Sequence, residues 1–134
     1  MSSFKDLGLS ENLLGTLLEL GYEQPTPIQE IAIPQIINYE NDLKAFAQTG
    51  TGKTAAFSLP ILELIDNESS ESQAIILSPT RELAIQITKN ITEFSKNVPG
   101  LKTVAVYGGA SIEDQIRAIK KGAQIIVGTP GRTV

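Results

Sequence analysis

The chain has 134 residues, 41% of them hydrophobic and 19% charged, which is the material of one globular domain at most and lies far from the composition of disordered chains. With 11 basic against 15 acidic residues the net charge is −4, which taken alone disfavours nucleic acid as a partner. Cysteine and histidine are both absent, which excludes disulfides, thiolate or imidazole metal sites, Ser-His-Asp triads and imidazole acid–base chemistry.

In chain order the first third reads as helix. Ser10 is placed to cap a helix carrying Leu13, Leu14, Leu17, Leu18 and Leu20 on one side, with Gly21 at its stop. Pro25 and Pro27 restrict the backbone, and Thr26 caps a second helix with Pro27 in its first position. That helix carries Ile28, Ile31, Ala32 and Ile36, and Pro34 is expected to kink it. Beyond a turn at 38–42 the rhythm becomes strand–loop–helix. The expected strands are 43–47, 74–77, 103–107 and 124–127, and the expected helices are 52–65, 80–96 (with Leu83, Ile87, Ile91 and Phe94 on one face) and one starting at Ser111. Four β/α alternations imply an α/β fold, a parallel sheet with helices on its faces. No basic stretch precedes a long apolar run at the N-terminus, and no apolar run approaches the ~18–20 residues of a membrane span, so a cytoplasmic protein without a membrane partner is the expectation.

The strongest local signal is Ala47-Gln48-Thr49-Gly50-Thr51-Gly52-Lys53-Thr54. It matches the phosphate-binding loop pattern except that Ala47 replaces the first glycine, and it sits between an expected strand and an expected helix. Gly50 and Gly52 permit backbone conformations closed to other residues, so that N–H groups can approach phosphates. The helix N-terminus adds partial positive charge. Lys53 is suited to the β- and γ-phosphates of a nucleotide, and the Thr54 hydroxyl to Mg²⁺. A Gly-rich turn with an incidental Lys-Thr is the alternative.

Four further stretches accompany this loop. Gly21-Tyr22-Glu23-Gln24-Pro25-Thr26-Pro27-Ile28-Gln29, with Phe4 standing 17 residues before Gly21, resembles the Q motif of the DEAD-box RNA helicases. The helicase form of the phosphate loop, Ala-x-x-Gly-x-Gly-Lys-Thr, accounts for Ala47. Pro79-Thr80-Arg81-Glu82-Leu83-Ala84, Gly108-Gly109 and Thr129-Pro130-Gly131-Arg132 are similar to the family's next motifs, in family order. The resemblance runs from Phe4 to Arg132 and implies a RecA-like fold. Residues 1–30 would form the Q-motif region and 31–134 the N-terminal part of the first of two RecA-like domains.

The resemblance implies an ATP-binding set of Tyr22, Gln24, Gln29, Gln48, Thr49, Gly50, Thr51, Gly52, Lys53 and Thr54. Gln29 would read the adenine edge, for which an amide's donor and acceptor are matched. Tyr22 would stack on the adenine face, Gln24 would add polar contacts, and Phe4 would pack nearby. Tyr22 and Phe4 taken singly also fit core aromatics, and Gln29 a solvated helix residue. The implied RNA-binding set is Pro79, Thr80, Arg81, Gly108, Gly109, Thr129, Pro130, Gly131 and Arg132. Each of these turns follows an expected strand, so all fall on one C-terminal sheet edge. Amides and hydroxyls of Thr80, Gly109, Ala110 and the TPGR turn would meet phosphates, with Arg81 and Arg132 adding charge, giving sequence-independent binding. Local amides and two arginines bind a few phosphates without a basic domain, which answers the objection from net charge. An ion pair between Arg81 and Glu82, and a plain turn at Gly108-Gly109, are the alternatives.

The family's Asp-Glu-Ala-Asp and Ser-Ala-Thr motifs and its second RecA-like domain with arginine fingers do not occur in these 134 residues. The expectation is an ATP-dependent RNA helicase when full length, and a 134-residue chain without significant ATPase or unwinding activity of its own. Another phosphate-loop ATPase, such as a DNA helicase or a small-molecule kinase, is the competing reading.

Overall fold

The computed structural model describes residues 3–46, 52–109 and 111–133. The chain divides into two compact units, Met1–Leu64 with Phe94–Asn97, and Ile65–Glu93 with Val98–Val134.

The first unit is helical. A 3-10 turn, Phe4–Leu7, precedes α1 (Glu11–Glu19), α2 (Pro27–Asn38) and α3 (Lys53–Leu64). Ser10 and Thr26 both adopt the extended backbone of an N-cap, as their positions in the sequence require. The C-cap of α1 is Leu20, and Gly21 follows it at φ +85°. Helix α2 continues through Pro34 to Asn38, so this proline does not end it. Helices α2 and α3 pack on each other, and Leu13, Leu17, Ile33, Ala55, Ala56, Leu59 and Leu62 are buried. Glu19 accepts a hydrogen bond from the Lys96 ammonium, which holds the Glu19 carboxyl below its usual range. Both side chains are about half exposed, so this pair is screened by solvent and salt.

The second unit is α/β, with β1 (Ala74–Leu77), α4 (Arg81–Phe94, which ends in the first unit), β2 (Thr103–Val106), α5 (Ile112–Lys120), β3 (Ile125–Gly128) and a final short turn of helix, α6 (Pro130–Thr133). The strands form a parallel sheet in the order β1-β3-β2. Ala74 and Thr103 both stand opposite Ile125, and Leu77 and Val106 both stand opposite Gly128. Ile125 and Val127 on the central strand are fully buried. Gln124 closes the other end of the sheet. Its Oε1 accepts from the Lys102 N–H at 2.9 Å, and its Nε2 donates to the carbonyls of Ser69 and Gly100 at 2.8 and 3.1 Å.

Three expectations are corrected. Residues 43–46 form no strand and are all exposed; Ala47 lies outside the described residues. A strand exists through its pairing, and the three strands found among the described residues pair only with one another. The buried stripe of α4 is Ala84, Ile87, Ile91 and Phe94, while Leu83 is exposed. Positions 84, 87, 91 and 94 keep the helical period, and Leu83 lies to one side of it. The strand expected at 124–127 lies at Ile125–Gly128; the Gln124 carbonyl, just before it, accepts the N–H groups of both Gln73 and Ala74, at 2.8 and 3.1 Å.

The sheet makes a simple demand on stability. Ile125→Ala removes a fully buried side chain from the central strand, so it should cost about 2–5 kcal/mol. Ile75→Ala, where the side chain is 61% exposed, should cost less than about 1 kcal/mol. Urea denaturation of both variants reads the difference, and equal losses would contradict the assigned register.

Candidate functional site

The two units carry two separate sets of candidate residues. In the first, Gln29 sits at the third position of α2 and is only 2% exposed, so the reading as a solvated helix residue does not hold. Its Oε1 accepts the Thr26 N–H at 2.9 Å, and its Nε2 donates to the Gly52 carbonyl at 3.2 Å. The amide therefore ties the cap of α2 to Gly52 of the phosphate-loop sequence. Among the described residues, these bonds leave one amide proton and one oxygen lone pair for a further partner. Beside it the Thr26 hydroxyl is buried and has no hydrogen-bond partner among the described residues.

Gly52 is where this arrangement demands glycine. Its φ is +85°, a left-handed conformation. A Cβ there would fall on the Gln29 amide nitrogen and lie 3.1 Å from the Thr26 hydroxyl. Helix α3 begins at the next residue, so Lys53, exposed, and Thr54, half-buried, occupy its first two positions, where unsatisfied backbone N–H groups gather. Gln48, Thr49, Gly50 and Thr51 lie outside the described residues. Tyr22 is 37% exposed. It meets Phe4 edge-on at 6.4 Å and Phe94 edge-on at 5.6 Å, as aromatic pairs prefer. Phe4 itself is buried. Phe4, Leu14, Leu17, Leu18 and Tyr22 line an apolar cavity of about 250 Å³. Gln24 is exposed.

In the second unit the register of the sheet brings the other motifs to one edge. The Ser78 N–H donates to the Gly128 carbonyl at 2.9 Å and the Thr129 N–H to the Val106 carbonyl at 3.0 Å, so all three strands hand over to their turns at one level. Pro79 and Thr80 are exposed, and the Thr80 hydroxyl accepts the Leu83 N–H at 3.2 Å, capping α4. Arg81 makes an ion pair with Glu82 at 3.7 Å, as one alternative reading anticipated. Both side chains are more than half exposed, so the pair contributes little. The Arg81 guanidinium also lies against Gly109, where φ is +87° and a Cβ would stand 2.6 Å from Nη1. Gly108 and Gly109 are exposed; Ala110 lies outside the described residues.

Thr129, Pro130, Gly131 and Arg132 form the turn into α6, with the Arg132 N–H donating to the Thr129 carbonyl at 3.2 Å. Arg132 Nη1 donates to Gln115 Oε1 at 3.2 Å, and Gln115 Nε2 donates to the Tyr107 carbonyl at 3.0 Å. Gln115 belongs to no motif read in the sequence. Its only sequence signal is the Ser111 cap, which starts α5 and sets its phase.

No group of three or more His, Asp or Glu able to hold a metal occurs among the described residues. A hydroxyl oxygen such as that of Thr54 nevertheless fits Mg²⁺, which keeps several waters and takes its other ligands from phosphates. No helix among the described residues is long and apolar enough to cross a membrane.

A DEAD/DEAH box helicase family model matches residues 26–134. The chain is similar to the ATP-dependent RNA helicase DeaD of Escherichia coli K12, with 50% identity over 131 residues, covering 98% of this chain and 21% of that protein. It thus spans about a fifth of the length of that relative. Among solved structures, a DEAD box protein from the hyperthermophile Methanococcus jannaschii superposes with a TM-score of 0.91 at 46% identity, over 98% of this chain and 35% of that one. Saccharomyces cerevisiae Dbp5, solved with RNA and ADP BeF3, superposes with a TM-score of 0.88 at 37% identity, over 99% of this chain and 33% of that one. These likenesses establish a RecA-like α/β fold.

Gly52→Ala should force the Gln29 amide aside and impose a left-handed backbone on alanine, the latter alone costing about 1–2 kcal/mol. Nucleotide affinity of the full-length protein should fall by at least about tenfold, or 1.4 kcal/mol. Titration with a fluorescent ATP analogue measures this, and an unchanged Kd would contradict the packing of Gln29 on Gly52.

Proposed function

The chain belongs to the DEAD/DEAH box helicase family, and we propose that the full-length protein is an ATP-dependent RNA helicase that grips RNA by its backbone. The observation that carries this reading is the level register of Leu77, Val106 and Gly128. It delivers three turns, bearing Thr80 and Arg81, Gly108 and Gly109, and Thr129 to Arg132, to one edge of a parallel sheet. Amides, a hydroxyl and two guanidinium groups at one edge suit successive phosphates and carry no base sequence. That the solved relative Dbp5 holds RNA and ADP BeF3 supports it.

In the same proposal residues 1–30 form the Q-motif region and 31–134 belong to the first RecA-like domain, which works against a second such domain in a cytoplasmic protein. Gln29 reads the adenine edge with its remaining donor and acceptor, beside Tyr22 and Gln24. The loop from Gln48 to Gly52 takes the phosphates. Lys53 stabilises the negative charge of the β- and γ-phosphates as it shifts toward the leaving oxygen in the transition state. The Thr54 hydroxyl would be a ligand for Mg²⁺, which would supply further neutralisation of phosphate charge.

Turnover by the full-length protein, measured with ATP or GTP and with or without single-stranded RNA, tests this. ATP hydrolysis should be stimulated by RNA and GTP should be a poor substrate. Lys53→Ala should lower kcat by at least about 10²-fold, the scale of losing one charge-stabilising donor. Equal use of GTP would overturn the role of Gln29, and stimulation by DNA but not RNA would favour a DNA helicase.

A further inference from the structure

Helix α5 shows an unusual choice of buried residue. Of its three isoleucines, Ile112 and Ile116 are about half exposed and Ile119 is only partly covered, while the single side chain it buries is the amide of Gln115, 8% exposed. Burying an amide costs free energy unless its polar ends are bonded. Both ends are bonded here: one partner, Arg132, lies in a candidate RNA-contacting turn, and the other, Tyr107, immediately precedes one. Nε2 donates to the carbonyl of Tyr107, the residue before Gly108, and Oε1 accepts from Nη1 of Arg132.

We propose that Gln115 is a positioning residue for RNA binding: its buried amide orients the Arg132 guanidinium at the sheet edge and ties it to the backbone just before the Gly108-Gly109 turn. The inference rests on the reading of Arg132 as an RNA contact. The chemistry explains why the residue is glutamine. The amide supplies a donor for the carbonyl and an acceptor for the guanidinium at once. It is also neutral, so it fixes the direction of the guanidinium without cancelling the charge that a phosphate needs. A glutamate would keep the acceptor, set a carboxylate against the Tyr107 carbonyl, and compete with RNA for the arginine. An alanine would leave the Tyr107 carbonyl and the guanidinium without this link. A side chain ordered before RNA arrives loses less conformational freedom on binding, so the effect should lie in RNA affinity and not in the chemical step.

The test uses the full-length protein with single-stranded oligouridylate as the RNA probe, in ADP–beryllium fluoride for binding and in ATP for turnover. Q115E should raise the RNA Kd about tenfold and lower the slope of log Kd against log salt by about one phosphate contact. Q115A should raise the Kd by less, about three- to fivefold, because no charge is added. In both, KM for RNA should rise while kcat at saturating RNA and the Kd for ATP stay at wild-type values. Q115E combined with R132A should bind RNA no worse than R132A alone. If R132A itself leaves RNA affinity and salt slope unchanged, the RNA reading of that turn fails and this inference with it. If R132A weakens RNA while Q115A and Q115E do not, the positioning role is overturned and the RNA reading stands. Loss of ATP affinity, kcat and RNA affinity together in both Gln115 variants would mark a merely structural residue and also overturn it. Should the variants fail to fold, the wild-type protein still decides. The Arg132 Nε–H group in RNA-free protein should have an NMR order parameter above about 0.6, and a lower value would contradict preorganisation.

Discussion

The arrangement of the second unit depends on one constraint, the register of three parallel strands. Leu77 and Val106 stand opposite the same residue, Gly128, so their successors leave the sheet at one level. Parallel strands all point the same way, and the turns that follow them collect on a single edge. The ladder extends one bond beyond the strands, through Ser78 to Gly128 and Thr129 to Val106, which fixes where each turn begins. The side chains then follow. Arg81 comes to rest against Gly109, and Arg132 is joined through Gln115 to the carbonyl before the glycine pair. A slip of one residue would reverse the faces of a strand and disperse this grouping.

The same constraint accounts for how an acidic chain can present a surface for a polyanion. The net charge of −4 is summed over all residues, but phosphate contact is decided locally by N–H groups, hydroxyls and a few guanidinium groups. Of the fifteen carboxylates, Glu82 pairs weakly with Arg81 at the edge, while those elsewhere weaken long-range attraction and leave short-range geometry intact. In the first unit the comparable economy is at Gln29. A single amide completes the cap of α2, bonds the Gly52 carbonyl and, among the described residues, still holds one donor and one acceptor in reserve.

Features set by a residue and its near neighbours were legible in the sequence. The caps at Ser10, Thr26 and Ser111, the helix start beside Lys53, the three strands of the sheet and the common edge of their turns all depend on short spacings. Features set by distant partners were not. Residues 43–46 have strand composition and yet no strand among the described residues to pair with, and sequence cannot supply one. Leu83 and Ala84 compete for the same stripe, and burial goes to the smaller residue in the first turn of α4. Gln115 reads as an ordinary polar helix residue, because what gives it significance is a carbonyl eight residues before it and a guanidinium seventeen residues after it.

Amide hydrogen exchange of the full-length protein, with and without single-stranded RNA in ADP–beryllium fluoride, tests the central claim most directly. Protection should arise together in three separate segments, at residues 80–81, 108–109 and 129–132, with no change in β1 at Ile75 and Ile76. Protection confined to one of these segments, or absent from all three while RNA is bound, would contradict the account of a single phosphate-binding edge.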